Sequence, residues 1–161
     1  MRTVRMAGIA AVLALTVLAG CDGDPEEGKT VPPFVVEAPD GTLELPVAGK
    51  GKVTVVAFWA SWCPPCRQEL AQLQTLSEQW DGDLAVFAVN VGEEPEVAAR
   101  ALAAAGVRFA LLRDPQGVAA RVNDVHSFPH MLVFDRDGRL RHRLVEAETS
   151  AGLSRMLGQL R

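Results

Sequence analysis

Seven consecutive positions, Val53-Thr54-Val55-Val56-Ala57-Phe58-Trp59, are apolar or β-branched, the pattern of a strand buried on both faces. Beyond it Leu70, Leu73, Leu76 and Trp80 recur at steps of three and four, which predicts an amphipathic helix from Pro64 to Trp80. Cys63 therefore stands at a strand-to-helix junction, at the helix N-terminus. Leu84 to Val91 reads as a second buried strand, Pro95 to Ala105 as an Ala-rich helix stopped by Gly106, and Phe109 to Leu112 as a short strand. Gln116 to Val122 predicts a short helix, and Met131 to Phe134 and Leu140 to Val145 predict strands joined by a turn at Asp135-Arg136-Asp137-Gly138. Ser150 to Leu160 closes the chain as a helix, and Phe34 to Leu45, with Asp40-Gly41 at its centre, predicts a small hairpin before the core. Strands alternating with helices imply an α/β domain built on parallel β-α-β units. No internal repeat is visible.

The N-terminus does not belong to that domain. Arg2 and Arg5 precede an apolar run over residues 6–19 that ends in Leu18-Ala19-Gly20-Cys21, the layout of a secretory signal peptide. The run is short of the ~20 residues a spanning helix needs. Leu-Ala-Gly-Cys resembles a bacterial lipobox, which implies lipidation of Cys21 and cleavage before it. On that reading residues 1–20 are the signal peptide, 21–30 a lipidated Cys and hydrated tether, and 31–161 the folded domain. Asp22 resembles the signal that retains lipoproteins at the inner membrane of a two-membrane host.

With 161 residues, 48% of them hydrophobic, the chain can bury one core, and it is too apolar to be disordered. The net charge is -4, and removal of Arg2 and Arg5 with the signal makes the mature chain more acidic. The short basic run Arg136, Arg139, Arg141, Arg143 is the only one, which argues against a nucleic-acid partner.

If lipid consumes Cys21, Cys63 and Cys66 are the only thiols, and a lone CxxC in an exported chain is either a redox pair or half of a metal site. There is no second CxxC, so a metal site would have to recruit His126, His130 or His142.

The stretch Val55 to Cys66, with its Trp62-Cys63-Pro64-Pro65-Cys66 core, resembles the active-site strand and turn of the thioredoxin superfamily. Pro33-Phe34, Asp40-Gly41, Asn90-Val91-Gly92-Glu93, Phe128-Pro129 and the Asp135 to Gly138 hairpin narrow the resemblance to the exported TlpA/ResA-like branch, over residues 31–160. It implies a thioredoxin fold with an N-terminal β-hairpin extension, a mixed sheet flanked by helices, and a central αβ insertion at residues 95–112. It also implies a membrane-tethered thiol:disulfide oxidoreductase with no cofactor beyond a Cys63-Cys66 disulfide. Its expected partners are protein disulfide or dithiol substrates, apocytochrome c among them, and a membrane thiol relay as electron donor; a monomer is expected.

The chemistry also follows from the residues. A thiolate at a helix N-terminus is stabilised by the dipole and by amide donors, which makes Cys63 the attacking sulfur and Cys66, one turn inside, the resolving one. Pro64 and Pro65 supply no N-H, so two donors are missing, and a less stabilised thiolate is a stronger reductant. Thioredoxins carry a buried Asp where this chain has Ala57. Glu69, three residues after Cys66 on the same side of the helix, matches a buried Glu of ResA-like reductases and would exchange a proton with Cys66; the alternative is a surface carboxylate near a helix start. Glu93 matches a family position near the site, or else simply ends a loop.

The resemblance implies that Pro129 is cis and faces the disulfide, with Trp62, Pro64, Pro65 and Phe128 forming the substrate contact and Trp59 packing behind. His130 departs from the usual Thr; it would tune the thiols, bind a soft metal with Cys63, Cys66 and His126, or simply sit in the strand. Three other functions compete with the reductase: an oxidase or isomerase on the same fold, a copper chaperone using Cys63, Cys66 and a His, and a thiol peroxidase. The last is disfavoured by Ala60, which stands where a peroxidase has Thr.

Overall fold

A computed structural model describes residues 28–161. The signal segment, Cys21, Asp22 and the tether through residue 27 lie outside the described residues. The elements are β1 (Phe34–Ala38), β2 (Gly41–Leu45), a 3-10 turn (Val47–Gly49), β3 (Val53–Trp59), α1 (Pro64–Gln79), β4 (Leu84–Val91), α2 (Pro95–Ala104), β5 (Leu112–Asp114), α3 (Val118–Val122), β6 (His130–Phe134), β7 (Leu140–Leu144) and α4 (Ser150–Gly158).

Seven strands form one mixed sheet in the order β2-β1-β5-β4-β3-β6-β7. The units β3-α1-β4 and β4-α2-β5 are parallel crossovers, while β6 runs antiparallel to β3 and β7 antiparallel to β6. β3 lies near the centre and every one of its residues is buried, as its unbroken apolar run requires.

Alternation along β3 divides the core in two. Val53, Val55, Ala57 and Trp59 pack with Cys63, Cys66 and the apolar stripes of α1, α2 and α4. Val56 and Phe58 point the other way, into a cluster with Phe34, Val36, Leu45 and Ala119 and Ala120 of α3. The predicted stripe of α1 is buried as expected, at Leu70, Leu73, Leu76 and Trp80.

One expectation needs correction. The short strand predicted at 109–112 begins only at Leu112 and continues through Arg113 and Asp114. Phe109 and Leu111 are apolar because they pack on the first core cluster from a loop, whereas Arg113 is in the strand, opposite Glu37 of β1 and paired with it at 3.4 Å. Asp114 is buried because its carboxylate accepts the Ala120 amide at 2.8 Å and holds α3 in place.

Ahead of Val31, where the folded domain was expected to begin, the backbone also pairs with β7. Gly28 already donates to the Leu140 carbonyl at 2.7 Å, and Leu140 donates to the Lys29 carbonyl at 3.0 Å. Backbone pairing of this kind needs no apolar side chain, so the hydrophobic pattern gave no sign of it. The Leu45-Pro46 bond, like Phe128-Pro129, is cis, and nothing in the sequence pattern distinguished it.

Candidate active site

The C-terminal end of β3 delivers the chain directly into α1, and Cys63 is the N-cap of that helix. Cys63 and Cys66 are joined in a disulfide with their Cα atoms 5.4 Å apart. Pro64 and Pro65 occupy the first two helical positions, so the first available amide is that of Cys66, which donates to Cys63 Sγ at 3.3 Å. Both sulfurs are shielded: Cys63 is 4% exposed and Cys66 1%. Pro64 and Pro65 are exposed beside them, and Pro64 borders an open groove of about 490 Å³ also lined by Arg67, Gln68, Ala71, Ala104 and Ala105.

Trp62 stands in contrast to its neighbours, with 68% of its surface exposed. Its ring lies 5.7 Å from that of half-buried Phe128, at a tilt of 58°. Phe128 leads into Pro129, which is buried and preceded by a cis bond. An indole and a phenyl ring side by side next to a shielded disulfide form an apolar platform suited to an extended peptide. Trp59 is buried behind the cysteines, in the same core cluster.

Glu69 is not a surface carboxylate. It is 3% exposed, and burial among apolar neighbours raises its pKa from 4.5 to about 7; a hydrogen bond from the Glu148 amide opposes the shift and the nearby Glu148 charge adds to it. At neutral pH it is therefore poised between its two protonation states, one turn from Cys66, as proton exchange requires.

Glu93 has a different job. Its carboxylate accepts the Ser61 amide at 2.6 Å, the Ser61 hydroxyl at 2.5 Å and the Asn90 side-chain amide at 2.7 Å. Burial acts to raise its pKa, but these donors outweigh it and hold the carboxyl below its ordinary value. The other side of Ser61 is held by Arg67, whose guanidinium donates to the Ser61 carbonyl at 2.8 Å. Ser61 lies two residues before Cys63, so Glu93 and Arg67 brace the motif loop from the end of β4 and from the first turn of α1. The sequence showed Glu93 as a candidate but gave no sign of Ser61 or Arg67, because Ser61 is held between a carboxylate 32 residues away and a guanidinium from the other side of the motif turn.

His130 does not face the thiols. It pairs with Phe58 in the β3–β6 register, and its ring stands edge-on to Phe58 at 6.5 Å, on the α3 side of the sheet. Met131, the next residue, takes the side of the cysteines. His126 is exposed, and among the described residues no three His, Cys, Asp or Glu side chains converge to hold a metal. The donor set of the copper-chaperone alternative is therefore not assembled.

A Redoxin family model matches residues 26–160. The chain is 35% identical over 116 residues to the thioredoxin-like protein YneN of Bacillus subtilis, an alignment covering 70% of this chain and 68% of that one. It is 36% identical over 120 residues to a thiol:disulfide interchange protein DsbE homolog of Paracoccus denitrificans, covering 74% of this chain and 62% of the relative. A crystal structure from Chlorobium tepidum, assigned as a thiol:disulfide interchange protein DsbE, superposes with a TM-score of 0.76 at 26% identity, over 83% of this chain and 96% of that one.

Proposed function

The chain belongs to the Redoxin family and is a thiol:disulfide oxidoreductase, and we propose that it works as a membrane-tethered, extracytoplasmic reductase of protein disulfides. The observation that carries the direction is the N-terminus of α1. Two of the amides that would face a Cys63 thiolate are absent at Pro64 and Pro65, leaving only Cys66 N, at 3.3 Å from Sγ. A thiolate with fewer donors is less stabilised, so the dithiol gives up its electrons more readily.

In the reducing cycle the Cys63 thiolate attacks one sulfur of a substrate disulfide and expels the other as a thiolate, forming a mixed disulfide. Glu69, as carboxylate, accepts the Cys66 proton; Cys66 then attacks Cys63 Sγ and expels the second substrate sulfur. Two electrons pass from the dithiol to the substrate, and the Cys63-Cys66 disulfide seen here is the product state. A thiol donor restores the dithiol. Trp62 and Phe128 offer the substrate chain an apolar contact, with the cis Pro129 directly after Phe128.

Tethering rests on the Leu18-Ala19-Gly20-Cys21 sequence, and among the described residues no helix is long and apolar enough to cross a membrane. The DsbE-type relatives support a protein substrate, and apocytochrome c is the specific proposal. Trapping tests it: Cys66→Ser in the full chain should accumulate mixed disulfides through Cys63, with proteins bearing a Cys-pair haem-attachment segment among those captured. Cys63→Ser should capture none. If neither variant captures a protein, the substrate class is wrong.

A further inference from the structure

The seven residues from Asn123 to Pro129 form an irregular connection between α3 and β6, and they carry two members of the site, Phe128 and Pro129. Both ends of this connection meet the same nitrogen. Arg143 Nη1, reaching over from β7, donates to the Asn123 carbonyl at 2.6 Å and lies 3.2 Å from His130 Nε2. A guanidinium has no acceptor and does not deprotonate, so the imidazole must be the acceptor at Nε2, neutral, with its proton on Nδ1. His130 is 2% exposed, and Asn123 is fixed in turn by its side chain, which donates to the Ala119 carbonyl at 2.9 Å.

We propose that Arg143 and His130 are positioning residues that clasp the two ends of the 123–129 connection and so hold Phe128 and Pro129 where a substrate peptide docks against the disulfide. The inference rests on the reading of the chain as a reductase of peptide disulfides. The clasp requires an uncharged His130. A protonated ring would lose the Nε2 lone pair and face the guanidinium with a like charge. The charged or titratable groups acting on it are Arg143 on β7 and His126 and Asp124 in the connection itself; the β3 neighbour, Phe58, carries none. Burial, Arg143 and His126 all disfavour the imidazolium, and Asp124 only partly offsets them, so the ring stays neutral down to a pKa of about 4.

The test uses the full chain, with dithiothreitol as reductant and a synthetic peptide carrying one intramolecular disulfide as substrate. His130→Leu removes the acceptor at similar volume, and His130→Gln returns an acceptor near the Nε2 position without a titrating group. Losing a charge-assisted hydrogen bond should raise the KM for the peptide about tenfold in His130→Leu, while the Cys63-Cys66 potential stays where it is. His130→Gln should restore KM, and should also lack the rise in KM that the parent shows as the pH falls toward 4. Arg143→Met, at a half-buried position on the edge strand, should reproduce the His130→Leu effect and serves if that variant does not fold. A parent chain that reduces the peptide while His130→Leu and Arg143→Met leave KM unchanged overturns the clasp alone. A shift in potential that accompanies the KM effect overturns it too, because His130 would then act on the thiols. A parent chain that does not reduce the peptide at all overturns the functional reading, and the clasp with it.

Discussion

Glu69 Oε1 accepts a hydrogen bond from the backbone amide of Glu148 at 3.0 Å, so the carboxyl one turn along α1 from Cys66 is anchored to the segment that leads into α4. That single donor does not offset burial, and the pKa remains raised to about 7. Glu69→Gln keeps the shape and the acceptor oxygen but cannot take a proton. Peptide-disulfide reduction by this variant should fall by about 10²-fold, the scale of a lost general base, and the inflection near pH 7 should disappear from its rate profile. An unchanged profile would return Glu69 to a purely structural role.

Glu69 and His130 should also pull stability in opposite directions with pH. The folded-state pKa of Glu69 is raised from 4.5 to about 7, so its contribution is full below pH 4.5 and is lost as the pH rises through 7. His130 is depressed from 6.5 to about 4, so its contribution is present above pH 6.5 and is lost as the pH falls through 4. In the oxidised parent the two slopes oppose each other between pH 4.5 and 6.5. Across that window Tm should climb more steeply with pH in Glu69→Gln than in the parent, and should fall with pH in His130→Gln. Parallel Tm curves for the three proteins would show that neither group titrates as its burial implies.

The brace on Ser61 makes a separate prediction. Glu93→Ala strips the Ser61 amide and hydroxyl and the Asn90 side chain of their common acceptor. Partly buried donors left without a partner should cost about 1–3 kcal/mol in chemical denaturation. Glu93→Gln, which keeps one acceptor oxygen and can donate to the hydroxyl, should cost less. Equal losses in both variants would mean that charge, and not the hydrogen-bonded brace, is what matters.

Pro65→Ala returns one N-H to the second helical position, facing Cys63. The added donor stabilises the thiolate and with it the reduced form, so the potential should rise by on the order of 30 mV, one tenfold step of a two-electron equilibrium. A fall in potential would remove the proline argument for a reductase.

Most of the fold was legible because its decisive segments have a strong period. The unbroken apolar run of β3 and the stripe Leu70, Leu73, Leu76, Trp80 placed Cys63 at a helix start without any structure. β5 was displaced because Arg113 and Asp114 owe their places to an ion pair and a helix cap rather than to hydrophobicity. In the site, Glu69 was legible from its place one turn after Cys66 on the same helix together with the family resemblance. The Ser61 brace and the His130 clasp unite side chains from separate elements, and no local pattern encodes such a meeting. His130 was singled out because it departs from the usual Thr, yet strand alternation turns it away from the sulfurs that proximity in sequence to Pro129 suggested.

The direction of electron flow is the central claim, and the redox equilibrium of the full chain against glutathione and dithiothreitol buffers measures it directly. The donor-poor α1 N-terminus predicts a Cys63-Cys66 potential well below about -200 mV, whereas a value near the -120 mV or so of a strong oxidant would contradict the account and assign the chain to disulfide formation.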